Sequence, residues 1–172
     1  MSKEDLHIAD TGLFVAVGSR SNKKYKALRK HAKNNGVVFT IPEKVYRELT
    51  GNTLTDNGKN TPVDKAIEED WVKIHRDIKY RNPLISRTVD QIRNNIASIS
   101  DRNEGEVEKT DAVLAAVAVN ESLERELDVV RIYTTDIPAG ESCIKVLNSL
   151  DVGFSSEFIY GFEFIENITD SW

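Results

Sequence analysis

Apolar positions along this chain fall into two alternating patterns. LHIAD (6–10), VVFTI (37–41), WVKI (71–74) and VRIYTT (130–135) are short apolar runs without strict alternation, as in strands buried on both faces. The stretches between them carry helical spacing. LFVAVG begins a short helix directly after Asp10, Thr11 and Gly12. Asn22 can cap a second helix over 23–34, stopped by Asn34, Asn35 and Gly36; it sets Tyr25, Leu28 and Ala32 on one face. Pro42 suits the first turn of a helix that carries Glu48. A short helix is expected near 62–69. A longer one covers 84–99, with Ile85, Val89, Ile92 and Ile96 in phase. DAVLAAVAV, from Asp111, is apolar on all sides and predicts a buried helix reaching about Leu127. Pro138 and Gly140 are read as a break before a helix over ESCIKVLNSL, and EFIYGFEFI (157–165) as a last strand. Strands alternating with helices imply βαβ units and a mostly parallel sheet covered on both faces, an α/β protein.

Residues 51–61 (GNTLTDNGKNT) are turn-forming. Gly58-Lys59 is no phosphate loop, because Thr53 stands at the earlier glycine position and Asn60 at the hydroxyl position after the lysine. With 172 residues the expectation is one domain over 1–172 with a full core. The single cysteine, Cys143, excludes an internal disulfide and reads as a small buried hydrophobe. Neither a signal-peptide core nor a membrane-length apolar run is present, so no membrane partner and a cytoplasmic location are expected. Net charge is −5, which by itself argues against a polyanionic partner. Its distribution changes that picture. Seven of the 23 basic residues fall between Arg20 and Lys33 with no acid among them, so the rest of the chain carries −12. Lys23, Lys26, Lys30 and Lys33 share one helix face, either a solvated stripe or a nucleic-acid-binding surface.

The candidate chemistry is acidic. Asp10 and Asp136 close apolar runs, Glu48 ends the amphipathic stretch PEKVYREL, and Asp111 opens the apolar helix. A carboxylate at the border of a buried segment must be solvated, paired or bound to a cation. An all-oxygen set without His or Cys points to Mg²⁺ or Mn²⁺. In an open parallel sheet the carboxyl ends of strands line the ligand crevice, where Asp10 and Asp136 are expected and which the start of the Asp111 helix can approach. Glu104 and Glu108 precede Asp111 by seven and three residues. Glu104 reads as a helix-start acid and Glu108 as a further candidate metal ligand. His7, His31 and His75 have no metal spacing.

Asp10-Thr11-Gly12-Leu13-Phe14, Glu48 in Tyr-Arg-Glu-Leu, Asp111 in Thr-Asp-Ala-Val-Leu-Ala-Ala, and Thr134-Thr135-Asp136 resemble, in order and spacing, the four signature segments of the PIN-domain nucleases. The similarity runs from Leu6 to Leu150. It implies a three-layer α/β/α sandwich, Mg²⁺ or Mn²⁺ as cofactor, and an enzyme hydrolysing single-stranded or structured RNA, with DNA a further candidate. Many prokaryotic members resemble toxins of toxin–antitoxin pairs, which are dimers neutralised by a small protein, so an antitoxin and a homodimer are expectations too. Two positions depart from the pattern. Gly12 stands where Asn or Ser is frequent, and Ile137, Pro138 and Ala139 replace the aromatic residue often found after the last Asp.

The implied mechanism is metal-assisted phosphodiester hydrolysis by Asp10, Glu48, Asp111 and Asp136. A second ion, if present, would lie about 3.5–4 Å from the first. Asp10, Asp111 and Asp136 are read as ligands; Glu48 orients the water or holds a second ion. Thr11 and Thr134 offer hydroxyls that position a carboxylate or phosphate, although a strand threonine is also favoured by propensity alone. The alternative is a PIN-like module that binds nucleic acid or protein without cutting it.

Overall fold

The computed structural model describes residues 2–51, 61–100 and 109–171, apart from the side chains of 99, 100 and 109–111. Its elements in chain order are β1 (Glu4–Ala9), α1 (Thr11–Val17), α2 (Lys23–Asn35), β2 (Phe39–Pro42), α3 (Glu43–Thr50), α4 (Pro62–Glu68) and β3 (Val72–His75). They continue with α5 (Pro83–Ser100), α6 (Lys109–Glu124), β4 (Leu127–Thr134), α7 (Ile137–Ser149), β5 (Ser155–Tyr160) and α8 (Gly161–Asp170). The expected loop lies largely outside the described residues, as do Glu104 and Glu108.

All five strands are parallel and ordered β3-β2-β1-β4-β5. Helices cover both faces of the sheet, so the molecule is the three-layer α/β/α sandwich that the resemblance implied. One core joins α5, α6 and α7 to the sheet through Leu6, Ile8, Val130 and Ile132. The other packs α1 to α4 and α8 around Phe39, Ile41, Tyr133 and Trp71. Every residue from Ala112 to Val119 is buried, as a helix apolar on all sides requires. An ion pair from Arg125, just past α6, to Glu4 at the start of β1 fixes the end of that helix at the amino edge of the sheet. Its 16 residues span about 24 Å, which returns its first turn, with Asp111, to the carboxyl edge.

Three expectations need correction. Helix α6 stops at Glu124, because Leu127 already pairs with β1 as the first residue of β4. Pro138 and Gly140 do not break the chain. Pro138 sits in the first turn of α7, where its missing N–H costs nothing. Gly140 lies inside that helix, where a Cβ would come within 2.4 Å of the Phe158 ring, so the glycine lets α7 press onto β5. The proposed last strand is half strand and half helix. Phe158, Tyr160, Phe162 and Phe164 alternate as in a strand, but Gly161, Phe164, Ile165 and Ile168 also fall on one helical face, and the second period wins from Gly161 onward.

Candidate active site

In this strand order the chain moves outward from β1 in both directions, so the switch point lies between β1 and β4. Both strands end in the candidate acids. Ala9 is in register with Tyr133, and the Asp10 N–H donates to the Tyr133 carbonyl at 2.9 Å, tying the exit of β1 to β4.

Two threonines then link three acids. Asp10 Oδ1 accepts the Thr11 N–H at 2.8 Å, and Asp10 Oδ2 accepts the Thr134 hydroxyl at 3.0 Å. Thr134 Oγ1 in turn accepts the Asp136 N–H at 3.1 Å. Asp136 Oδ1 accepts the Ala139 N–H at 3.1 Å and so caps α7. From the other side, Thr11 Oγ1 donates to Glu48 Oε2 at 2.6 Å. Asp10 and Asp136 are partly buried and Glu48 is exposed. Thr134 is fully buried, and its hydroxyl is committed at both ends, which is more than strand propensity asks of it. Replacing it with the isosteric Val should leave the Asp136 N–H and Asp10 Oδ2 without this partner. The expected cost is about 1–3 kcal/mol by chemical denaturation, with a fall in any activity that depends on Asp10.

The electrostatics follow from this geometry. Burial raises the pKa of Asp10 above its ordinary value; the hydrogen bonds from Thr11 and Thr134 oppose the rise, and the charges of Glu48 and Asp136 add to it. No cation figures among the described groups that act on it. A half-buried carboxylate facing two other acids is relieved by a divalent cation, and an all-oxygen donor set suits Mg²⁺ or Mn²⁺. The donor chemistry therefore fits the metal implied above. As placed, no three acidic, His or Cys side chains among the described residues close a complete cage. The fourth acid, Asp111, has its backbone in α6 and its side chain outside the described residues; Glu108 lies outside them entirely.

Gly12 has a structural reason. A Cβ there would lie 2.1 Å from Thr135 Oγ1 and 3.2 Å from Thr135 Cβ, so Thr135 occupies the space that an Asn or Ser side chain would need. Gly12→Ala should force the end of β4 outward at a cost of about 1–3 kcal/mol, visible as a lowered melting temperature. Thr135 was not singled out from the sequence, since a contact with residue 12 has no local signal. Aromatic side chains do stand beside the end of β4, on the neighbouring strand and the helix after it. Tyr160 pairs with Thr134 at the end of β5, its ring meets that of Phe162 edge-on at 5.7 Å, and Phe162 is exposed.

The basic stripe forms as expected, with Lys23, Lys26, Lys30 and Lys33 all exposed on α2. It is not uniformly available. Glu69 holds Arg29 at 2.7 Å and Lys33 at 3.1 Å, and these partners, Arg29 first, keep the Glu69 carboxyl down at about 2.

An all-parallel sheet with carboxylates gathered at its switch point defines the class: a PIN-like α/β/α domain. A sequence model of the family described as Halobacterial PIN domain matches residues 3–172, and the chain belongs to that family. No curated protein and no solved structure matches it. PIN domains are generally nucleases and typically use divalent metals. No helix among the described residues is long and apolar enough to cross a membrane.

Proposed function

We propose that this protein is a metal-dependent endoribonuclease that hydrolyses phosphodiester bonds in single-stranded or structured RNA. The observation that carries the proposal is the stitched cluster of Asp10, Glu48 and Asp136 at the switch point, with Asp10 raised in pKa by burial and acidic neighbours. Asp10 and Asp136, each held by backbone and threonine contacts, would hold a divalent ion together with Asp111 from the first turn of α6. Such an ion, when bound, neutralises phosphate charge and lowers the pKa of a coordinated water toward neutrality. Thr11 and Thr134 keep the carboxylates from turning away. Glu48, exposed and held by the Thr11 hydroxyl, would orient the attacking water and accept its proton. Attack at phosphorus breaks the bond to the leaving 3′-oxygen, which takes up a proton. Lys23 and Lys26, exposed in the first turn of α2, give the strand an electrostatic approach.

The test is incubation of pure protein with matched single-stranded RNA and DNA, with Mg²⁺, with Mn²⁺ and with chelator. Cleavage of RNA that needs metal and disappears in Asp10→Asn is the expected result. A wild type that cuts neither polymer with either metal would overturn the enzyme in favour of a binding module. As a toxin, the protein should also be inhibited by a small protein encoded beside it, and gel filtration would report the homodimer.

A further inference from the structure

A groove of about 670 Å³ opens at the carboxyl edge of the sheet, beside the acid cluster, and the site above does not use it. Its place follows from the register. Ile8 pairs with Thr40 and Pro42 with His75, so the ends of β1, β2 and β3 lie level, and the groove begins one strand away from Asp10. Strands are about 4.8 Å apart, which puts the far side of the groove, at His75, about 10 Å from Asp10. Helix α3 links the two regions. Lys44 lines the groove and stands four residues before Glu48, so both lie on one helix face.

The lining is specific in kind. Pro42, Ile78, Val89 and Val113 give apolar surface, and the half-exposed ring of Tyr80 stands among them. Around this surface Lys44, Arg47 and Arg93 are matched by Glu43, Asp77 and Asp90, so the formal charge of the groove is zero. Glu43 is further engaged by Arg47 at 3.0 Å and Arg76 at 3.4 Å. A polyphosphate or a run of backbone phosphates needs a net positive wall, which this groove lacks. A flat, neutral heterocycle with donor and acceptor edges suits it on every count: an aromatic face to stack on, an apolar bed, charged groups of both signs at the rim, and a volume in the range of small-ligand sites.

We propose that this groove binds the base of a nucleotide flanking the scissile phosphate, stacked on Tyr80, while Lys44 meets the phosphate between that base and the acids. The inference rests on the nuclease reading, and it makes the substrate locally single-stranded, because a paired and stacked base cannot enter.

Binding is measured by fluorescence anisotropy with a short single-stranded RNA, with Ca²⁺ in place of Mg²⁺, and with the same strand carrying one abasic step at each position in turn. One position should be sensitive, its abasic form binding about tenfold more weakly. Tyr80→Ala should weaken the intact strand by a similar factor and lose that positional sensitivity, while Tyr80→Phe keeps both. Tyr80 is 48% exposed, so neither variant should shift the melting temperature appreciably. A flat abasic scan, no binding by the wild type, or a Tyr80→Ala protein that retains the sensitive position would overturn the assignment. Metal-dependent cutting with a flat scan would leave the nuclease standing and remove the groove. A sensitive position in a protein that never cuts would do the reverse.

Discussion

Asp10→Asn is expected to melt above the wild type at pH 7 in metal-free buffer, and to lose cleavage by more than about 100-fold. The gain in stability is electrostatic, whereas the loss of cleavage follows from removing a carboxylate that would hold the metal. Burial, Glu48 and Asp136 raise the Asp10 pKa, so the folded protein binds that proton more tightly than the unfolded chain does. The resulting penalty on folding is absent below the ordinary carboxylate value of 3.8. It grows as pH rises toward the raised folded value and is complete above it. Asparagine removes the penalty and can still accept the Thr11 N–H. Its advantage in melting temperature should therefore close as pH falls toward 3.8. Metal should reverse the order, since an ion at 100 times its Kd adds about 2.7 kcal/mol to the wild type and little to the variant. Differential scanning fluorimetry at several pH values, with and without Mn²⁺, reads all of this. A variant less stable than wild type at pH 7, and equally active, would remove Asp10 from the site.

The second large effect is on stability alone. Glu121→Ala should cost about 3 kcal/mol, or about 9 °C in Tm. Glu121 is buried in α6, where its Oε1 meets His75 Nδ1 at 2.8 Å and its Oε2 accepts Arg125 Nε at 3.0 Å. The Lys79 N–H donates to Asn120 Oδ1 at 3.0 Å, so the Asn120 amide nitrogen, 3.2 Å from His75 Nε2, must donate to it. This assigns the His75 proton to Nδ1, pointing at Glu121. Removing the carboxylate strands that N–H and the buried side of Arg125 together. The hydrogen bond from His75, helped by the positive charge of Lys73, holds the Glu121 pKa below 4.5 against its burial. A lowered carboxylate stabilises the fold above its unfolded value and loses that contribution as pH falls through the folded one. The gap between wild type and variant in urea melts should be full at pH 7 and shrink below pH 4.5. A constant gap down to acid pH would mean that lost packing, not the charged network, sets the cost.

This network shows where local sequence signals stop. His75, Asn120 and Glu121 carry no common spacing, and 45 residues separate His75 from Asn120; only the packing of α6 against the end of β3 joins them. The same holds for Gly12 and Thr135, and for the groove, whose walls come from α3, α5, α6 and the segment after β3. By contrast, Asp10 and Asp136 were legible because each closes its own apolar run, and Thr11 and Thr134 because one follows Asp10 directly and the other stands two residues before Asp136, within segments that resemble the family. The ambiguous stretch was 157–165, where two periods coexist and the close approach of Gly161 to Thr135, 3.0 Å from a would-be Cβ to Cγ2, marks the turn from strand to helix.

By itself, then, the sequence determined which segments are buried, the alternation of strand and helix, and four acids at segment borders. Those properties depend on periodicity within a dozen residues, which survives without knowledge of neighbours. Tertiary structure decided that β4 lies beside β1, which brings Asp136 to Asp10 across 126 residues and places Thr134 between them. It also decided that part of the basic stripe is spent on Glu69. Strand order is set by how the crossover helices pack over the whole sheet, and the raised Asp10 pKa exists only once that packing has removed water and gathered like charges.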